Sequence, residues 1–367
     1  MIERKMLFCP GPVMTSERVK ASLVHPDMCH RRPDFEKVLQ RVRANILRVF
    51  QADEAYTAAV ISGSGTAANE TALSSLIKGS DEVLLIKNGE FGERLHDILN
   101  CYHLRVHVLE YAWGSPPVLD DIATKLAEIK DIQWVCMVCH ETSTGMLNPV
   151  RQVGELTQNY QRRFYVDCIS AVGGEDIDVV RDHIDACSGV PNKAVSGLPG
   201  VGFVAARRDA IPALEEVGRR NIYLNLQKHL EIADRLEQTP NTPSVTMIVA
   251  LDEALQELLE EGLEKRIERH RECAGLIREG VRRLNLRVLL PDYLASNTVT
   301  SVFLPEEIPV DRLIDELDCR GYVVYPGKRH LYEQNMFQIA NMGQIRAEDC
   351  RVFLGVLEET LKELGYK

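Results

Sequence analysis

The sequence lacks an excess of positive charge, the property that a nucleic-acid-binding protein needs most. Its 43 Lys and Arg side chains are outnumbered by 54 Asp and Glu side chains, and its formal net charge is −11. A protein that neutralises phosphates along a nucleic acid requires a basic face. We therefore expect no nucleic acid among the partners of this chain.

Long hydrophobic runs are also missing. No segment approaches the roughly 20 apolar residues of a membrane-spanning helix, so we expect no membrane partner. The stretch MIERKMLFCPGPVMTS at 1–16 has no apolar run long enough for a secretory signal. The chain has 10 cysteines, and without export we expect reduced thiols and a cytoplasmic location.

Neither an internal repeat nor a low-complexity linker interrupts the chain. Apolar strand patterns such as AYTAAVIS and DEVLLIKNG alternate with helical patterns up to about residue 245. Buried strands joined by helices predict an α/β fold with a mainly parallel sheet and helices on both faces. Short strands and helices follow a long helical region, which predicts a smaller C-terminal α+β domain. We place the large domain at 1–250, and the linking helix with the small domain at 251–367.

A glycine-rich turn, ISGSGTAANE at 61–70, follows the first of these strands. Free backbone N–H groups where the next helix begins, with the hydroxyls of Ser64 and Thr66, suit an anion such as a phosphate. The spacing G-x-G-x-x-A also matches a dinucleotide fingerprint, which leaves a nucleotide-dependent oxidoreductase as an alternative. That fingerprint expects an acidic residue after the next strand, and the strand VLLIK ends in Lys87 instead. A turn that only caps the helix is the third interpretation.

Four further residues lie at or near predicted strand ends, where open α/β sheets bind their ligands. Phe91, between the glycines of NGEFGERL, suits a ring that stacks on a flat ligand. Thr142 belongs to the polar stretch CHETSTGMLNP, and Asp167 ends an apolar strand, where a carboxylate needs a partner. Lys193 lies among small and apolar residues in GVPNKAVSG. Taken singly, each has a structural explanation as a core ring, a loop residue, a helix cap or a surface lysine.

Taken together, these groups match what pyridoxal 5′-phosphate requires. The glycine-rich turn would hold the phosphate, and Phe91 would cover one face of the ring. Asp167 would pair with the pyridine nitrogen, and Lys193 would form a Schiff base with the aldehyde. Desolvation lowers the pKa of a lysine and so favours the neutral amine that this chemistry needs.

The stretch CMVCH at 136–140 fits the C-x-x-C-H pattern of covalent haem attachment. It lies in an apolar strand, however, and alternation along a strand would point Cys136 and Cys139 to opposite faces. We therefore expect structural cysteines here, and no metal site.

Over nearly its whole length the sequence resembles the class V aminotransferases, which are pyridoxal-phosphate-dependent enzymes of fold type I. The motifs that carry the resemblance are PGPVMTS, SGSGTAANE, NGEFGERL, ETSTGMLNP, VDCISAVGG, PNKAVSGLPG, YLNL, TPNTPS and YPGK. Within the family they are most similar to the 2-aminoethylphosphonate–pyruvate transaminases, with the serine–pyruvate and alanine–glyoxylate enzymes as near relatives. The resemblance implies a seven-stranded sheet and an N-terminal segment, 1–20, that crosses to the small domain. It also implies transfer of an amino group from a small amine or amino acid to a 2-oxo acid or aldehyde.

The resemblance also implies roles for individual residues. Lys193 would hold the cofactor and shuttle the proton, and Asp167 would pair with the ring nitrogen. A homodimer with shared active sites would bring Thr242 to the phosphate bound by the partner. The other cofactor contacts would be Ser64, Gly65, Thr66, Phe91, Thr142, Ile169 and Asn192.

One position departs from the family pattern. Relatives have an arginine in a motif like F-R-I-G-N-x-G that binds the acid group of the substrate, and here MFQIANMG has Gln338 in that place. Losing such a charge-assisted pair costs about 2–5 kcal/mol, so we expect poor turnover of 2-aminoethylphosphonate with pyruvate unless another cation substitutes. Arg31, Arg32, Lys328 and Arg329 are the candidate substitutes. The alternatives are a lyase, racemase or decarboxylase that uses the same cofactor, and a non-catalytic scaffold, against which the retained Lys193 argues.

Overall fold

The structure is a computed structural model that describes residues 5–366. Its strands are β1 (Met6–Leu7), β2 (Tyr56–Ser62), β3 (Glu82–Lys87), β4 (Arg105–Glu110), β5 (Ile132–Val138), β6 (His140–Glu141), β7 (Met146–Leu147), β8 (Arg163–Asp167), β9 (Ala186–Gly189), β10 (Val201–Arg207), β11 (Arg287–Val288), β12 (Val299–Phe303), β13 (Tyr322–Val323), β14 (Tyr325–Pro326) and β15 (Met336–Ala340). Its helices are α1 (Glu17–Ala21), α2 (Pro33–Val49), α3 (Gly65–Leu76), α4 (Glu90–Cys101), α5 (Leu119–Glu128), α6 (Val150–Asn159), α7 (Leu214–Val217), α8 (Leu226–Leu236), α9 (Val245–Glu261), α10 (Leu263–Arg283), α11 (Val310–Cys319), α12 (His330–Glu333) and α13 (Ala347–Glu363).

The large domain is built on a 7-stranded sheet in the order β2-β10-β9-β8-β5-β3-β4. Strand β10 runs antiparallel to both β2 and β9, and the other neighbours in this sheet pair in parallel. Strands such as β2 and β3 are buried along almost their whole length, which is typical of a sheet covered on both faces. The predicted fold, a mainly parallel seven-stranded sheet with flanking helices, is confirmed.

Hydrophobic cores lie on both faces of this sheet. Along β5, Val135 and Met137 belong to one core, whereas Trp134 and Cys136 belong to the other. The apolar residues of α2 recur at helical spacing and so form one side of the helix. This side packs against α9, on the face of the sheet that carries Val135 and Met137. Cys139 lies in the first core, so the two cysteines of CMVCH are on opposite faces, as strand alternation predicts.

The small domain has a 4-stranded antiparallel sheet, β11-β12-β15-β14, packed against helices that include α10 and α13. Gly262, with φ of +88°, separates α9 from α10, and the predicted domain boundary at 250 lies within α9. Strand β1 pairs in parallel with β13, and the Phe8 ring stacks on Phe353 at 4.3 Å between centroids. The N-terminal segment therefore contacts the small domain from residue 6 onward; residues 1–4 of the predicted segment lie outside the described residues.

Parallel strands bring their carboxyl ends to one edge of the large sheet. Strands β5 and β8 end there at Val138 and Asp167, and α3 and α4 begin there, after β2 and β3. Ligands of open α/β sheets bind outside this edge. Within 5–366, no group of three or more His, Cys, Asp or Glu side chains could hold a metal ion. Nor does this part of the chain contain a helix with the length and apolarity needed to cross a bilayer.

Candidate active site

A cavity of about 390 Å³ opens at this edge of the sheet. Its walls come from the large domain, the small domain and the N-terminal segment, which contributes Pro10 and Gly11. Among the residues named from the sequence, those that line the cavity are Ser64, Gly65, Thr66, Phe91, Thr142, Asp167, Ile169, Asn192, Lys193, Lys328 and Gln338.

The start of α3 forms an anion cradle on the cavity wall. Ser64 is the residue before the helix, and its hydroxyl makes no capping hydrogen bond. The first N–H groups of a helix have no partner within the helix, so they remain available to an anion. A Cβ on Gly65 would lie 2.7 Å from Ile169 Cδ1, and glycine therefore lets the helix start pack closely against this side chain.

Asp167 is a buried carboxylate held by neutral donors. Its Oδ1 accepts a hydrogen bond from the Ile169 N–H at 2.9 Å, and its Oδ2 accepts one from Asn69 Nδ2 at 2.7 Å. Asn69 is oriented in turn by Tyr165 and Ser188, whose hydroxyls donate to its Oδ1. Burial raises the pKa of Asp167, although both hydrogen bonds oppose that shift. No ion pair to Asp167 exists among the described residues, so its charge is available to a cationic group in the cavity.

Lys193 provides the amine of the cavity. Its Nζ donates a hydrogen bond to the Pro10 carbonyl oxygen, and no carboxylate lies within ion-pair distance in the described chain. Burial lowers its pKa to about 8, and the like charges of Lys328 and Arg94 add to that shift. A substantial fraction of this amine is therefore neutral near physiological pH.

Phe91 is positioned by a buried carboxylate from a different element. Glu141 follows β5, and its carboxylate accepts hydrogen bonds from the backbone N–H groups of Phe91 and Gly92 in the first turn of α4. Burial raises the pKa of Glu141 to about 7, while these bonds and one from Ser143 favour the charged form. A Cβ on Gly89 would lie 2.1 Å from Glu141 Cγ, so only glycine permits this contact.

The β6–β7 hairpin carries the polar residues on the next part of the wall. Thr142 Oγ1 donates to Ser170 Oγ at 2.5 Å, and both residues line the cavity. His140 is buried, and its Nδ1 lies 3.1 Å from the Ser170 carbonyl oxygen. Burial lowers the pKa of His140 to about 4, so the ring is neutral and Nδ1 is the protonated nitrogen that donates.

Gln338 lies on β15, is 1% exposed and lines the cavity from the small domain. Its Nε2 donates to the carbonyl oxygens of Thr142 at 2.8 Å and Ser143 at 3.2 Å, and to Ser301 Oγ at 3.1 Å. The amide hydrogens thus bind the two domains together and are not free to bind a substrate.

Four residues named from the sequence do not line the cavity: Arg31, Arg32, Arg329 and Thr242. Arg31 donates to Gln238 and to the Thr239 and Pro240 carbonyls, and Arg329 pairs with Glu93 on α4. Thr242 is exposed. Of the four cations considered as substitutes, Lys328 lines the cavity, whereas Arg31, Arg32 and Arg329 do not.

Sequence reasoning assigned no role to Asn69, Arg94 and His140, which line this cavity. Nor did it assign one to Glu141, which does not line the cavity but holds the start of α4. A signal existed for Arg94, because it lies three residues after Phe91 and therefore on the same side of the helix. Glu141 and His140 are adjacent to the predicted Thr142, but only the folded hairpin reveals their contacts. Asn69 gave no signal, because its role depends on a residue 98 positions away.

The arrangement fits pyridoxal 5′-phosphate. A helix start with an unused hydroxyl suits the phosphate, and an unpaired buried carboxylate at Asp167 suits a protonated ring nitrogen. An amine with a lowered pKa at Lys193 suits an aldehyde. The cavity thus offers a complementary group to the phosphate, the ring nitrogen and the aldehyde of the cofactor.

We expect the loading of this cofactor to depend on pH through Lys193. The neutral amine attacks an aldehyde, and its fraction rises with pH until the pKa of about 8 is passed. The rate at which cofactor-free protein takes up pyridoxal 5′-phosphate should therefore rise up to about pH 8 and then level off. Stopped-flow absorbance measures it; a rate that still climbs at pH 10 would show an ordinary lysine.

Comparisons with known proteins find aminotransferases over nearly the whole chain. The family model described as "Aminotransferase class-V" matches residues 14–347. The chain is 32% identical over 366 residues to an uncharacterized aminotransferase of Methanocaldococcus jannaschii, covering 99% of this chain and 94% of that protein. It is 31% identical to a 2-aminoethylphosphonate–pyruvate transaminase of Lysinibacillus sphaericus, with 96% of each covered. The solved structure of a ureidoglycine–glyoxylate aminotransferase from Bacillus subtilis matches with a TM-score of 0.90 at 29% identity, covering 100% of this chain and 96% of that one.

Proposed function

Because the chain belongs to the class-V aminotransferase family, and is a pyridoxal-phosphate-dependent transaminase, we propose that its amino donor is a small amine with an acid group. The donor would be of the 2-aminoethylphosphonate kind, and the acceptor a 2-oxo acid or aldehyde. The observation that carries the proposal is the presence of Lys193, Asp167 and the α3 cradle in one cavity that also holds cations. Lyase, racemase and decarboxylase activities find no support among the relatives.

The roles of the residues follow from their surroundings. When bound, the cofactor supplies an electron sink that makes the hydrogen on the amine-bearing carbon acidic. Asp167 would pair with the ring nitrogen, since the hydrogen bonds from Asn69 and the Ile169 N–H hold the carboxylate at the cavity wall and favour its charged form. A substantial fraction of Lys193 Nζ is neutral, so this atom can take the proton from the amine-bearing carbon of the donor. It returns a proton in the second half of the reaction, when the acceptor is aminated.

The N-terminal segment forms part of the wall around Lys193, where it would limit access of water to the reacting atoms. Pro10 and Gly11 come from the N-terminal segment, which is anchored on the small domain through β1 and β13. The Pro10 carbonyl oxygen accepts the Lys193 hydrogen bond, so the segment lies directly against the reacting amine. Excluding water in this way strengthens the electrostatic interactions inside the cavity.

A two-stage experiment tests the function. Holoenzyme mixed with 2-aminoethylphosphonate, without an acceptor, should convert its cofactor to pyridoxamine 5′-phosphate and release the matching aldehyde. Added pyruvate should then restore the original absorbance and yield alanine. Release of inorganic phosphate from 2-aminoethylphosphonate, with the cofactor left unconverted, would instead identify a lyase.

We expect Gln338→Arg not to raise kcat/KM for 2-aminoethylphosphonate with pyruvate. The glutamine bonds that join β15 to Thr142 and Ser143 would be lost or replaced, and a further positive charge would enter a cavity that already holds Arg94 and Lys328. The value of kcat/KM should fall, or stay within about threefold, a change worth about 0.7 kcal/mol or less. A tenfold rise would show that a missing guanidinium limits the wild-type enzyme.

We further propose a homodimer with shared active sites and a cytoplasmic location. Thr242 is exposed and does not line the cavity of its own chain, which supports a role toward the partner. All the cysteines are free, which suits a reducing compartment. Light scattering on the active protein tests the dimer, and an active monomer would contradict it.

A further inference from the structure

On the premise of this transaminase function, we propose that Arg94 and Lys328 together form the subsite that binds the acid group of the substrate. We call these two residues the cation pair. The family resemblance implies an arginine at position 338, but the amide hydrogens of Gln338 are bound to carbonyl oxygens. The cation pair would supply the charge from other elements.

Arg94 presents its guanidinium to the cavity. It lies on α4 three residues after Phe91, with its guanidinium carbon 4.8 Å from the centre of that ring. Its one ion pair, to Glu90 Oε1, is at 3.5 Å, and the guanidinium donates no hydrogen bond to any residue in 5–366. A planar fork of N–H donors that makes no hydrogen bond within 5–366 is suited to bidentate binding of a carboxylate or phosphonate.

Lys328 approaches the same ring from the small domain. Its Nζ lies 5.3 Å from the centre of the Phe91 ring and 3.1 Å from Glu90 Oε1. The two cations thus share one oxygen of a single carboxylate, which leaves an excess of positive charge beside the ring. Asp167, the acidic residue on the cavity wall, is held at its own place by Asn69 and is not available to neutralise them.

The cation pair already acts on the reacting amine. Burial is the largest cause of the lowered pKa of Lys193; the like charges of Lys328 and Arg94 add to the shift, while Cys9 and Asp167 oppose it. An acid group bound between Lys328 and Arg94 would neutralise their charges. It would also add a contact between α4 of the large domain and the loop after β14 of the small domain.

Paired substrates test the subsite. Single-turnover rates of cofactor conversion in holoenzyme are measured with 2-aminoethylphosphonate and with 2-aminoethanol, which carries a neutral hydroxyl in place of the acid group. Arg94→Gln should lower the rate constant with the phosphonate about 10²-fold and Lys328→Gln about tenfold, while the rate with 2-aminoethanol changes less than about threefold. Arg94→Lys, which keeps the charge but loses the fork, should fall between wild type and Arg94→Gln.

Ethylphosphonate, which has the acid group but no amine, gives a readout that does not need turnover. Calorimetry with holoenzyme should show weaker binding of this probe in Arg94→Gln and in Lys328→Gln. The matched control is Arg329→Gln, because Arg329 is the next cation in the chain, also pairs with α4 and does not line the cavity. Its side chain is 58% exposed, and its variant should bind the probe like wild type.

The outcomes separate this proposal from the proposed function. Equal losses with both amines, with ethylphosphonate binding unchanged, would mean that Arg94 only supports α4, and would overturn the subsite while leaving the transaminase intact. If neither amine converts the cofactor in wild type, the proposed donor class is wrong. Ethylphosphonate binding that is lost in Arg94→Gln would in that case still support the subsite.

Discussion

Replacing Lys193 with alanine is expected to lower transamination by about 10⁴-fold or more while leaving the fold intact, since a positioned acid–base group alone contributes up to about 10⁴. The variant loses both the amine that attaches the cofactor and the group that moves the proton. The fold should tolerate the change, because Lys193 makes no ion pair in the described chain and burial disfavours its charged form. Its single hydrogen bond goes to the Pro10 carbonyl oxygen.

Three measurements separate a chemical role of Lys193 from a structural one. Thermal unfolding of the cofactor-free variant should match wild type. Borohydride treatment should no longer fix the cofactor to the chain, and added methylamine should restore part of the activity, because it can move the proton from solution. A variant that keeps a borohydride-fixed cofactor on another lysine would refute the assignment.

Much of the site could be predicted because its residues follow strands. The carboxyl ends of parallel strands meet at one edge, so the turn at 61–70, Asp167 and the stretch with Thr142 had to lie near one another once the sheet was recognised. Lys193 was identifiable from its neighbours, since a lysine among small and apolar residues is unusual for a solvated position. These features depend on local sequence and on one topological rule.

The remaining features depend on contacts between distant segments, which no local pattern encodes. The pairing of β1 with β13 joins residues 6–7 to 322–323, and the direction of β10 could not be read from its apolar residues. Gln338 was recognised as a missing charge, but its bonds to Thr142 and Ser143 become visible only when the small domain is in place. The same holds for Glu141, whose carboxylate fixes the start of another helix.

The conversion of Asp167 to asparagine is expected to lower the rate of the chemical step about 10²–10³-fold, the range found when one preorganised electrostatic contact is removed. The reason begins with hydrogen bonds. Both carboxylate oxygens accept from N–H groups, of Ile169 and of Asn69, and an asparagine has only one oxygen. Asn69 cannot turn its own oxygen toward the new amide without losing the hydrogen bonds from Tyr165 and Ser188.

Whichever way the new amide is oriented, its NH₂ group faces another donor, and a proton on the ring nitrogen of the cofactor loses its counter-charge. The cost of the unmade hydrogen bond is about 1–3 kcal/mol of stability. Asp185→Asn is the matched control, because Asp185 is also buried and also accepts a backbone N–H, from Phe164, but does not line the cavity. Single-turnover kinetics on both variants, each loaded with cofactor, separates the chemical loss from the structural one. We expect a slow chemical step in Asp167→Asn alone, and equal rates in the two variants would count against Asp167 as the partner of the ring nitrogen.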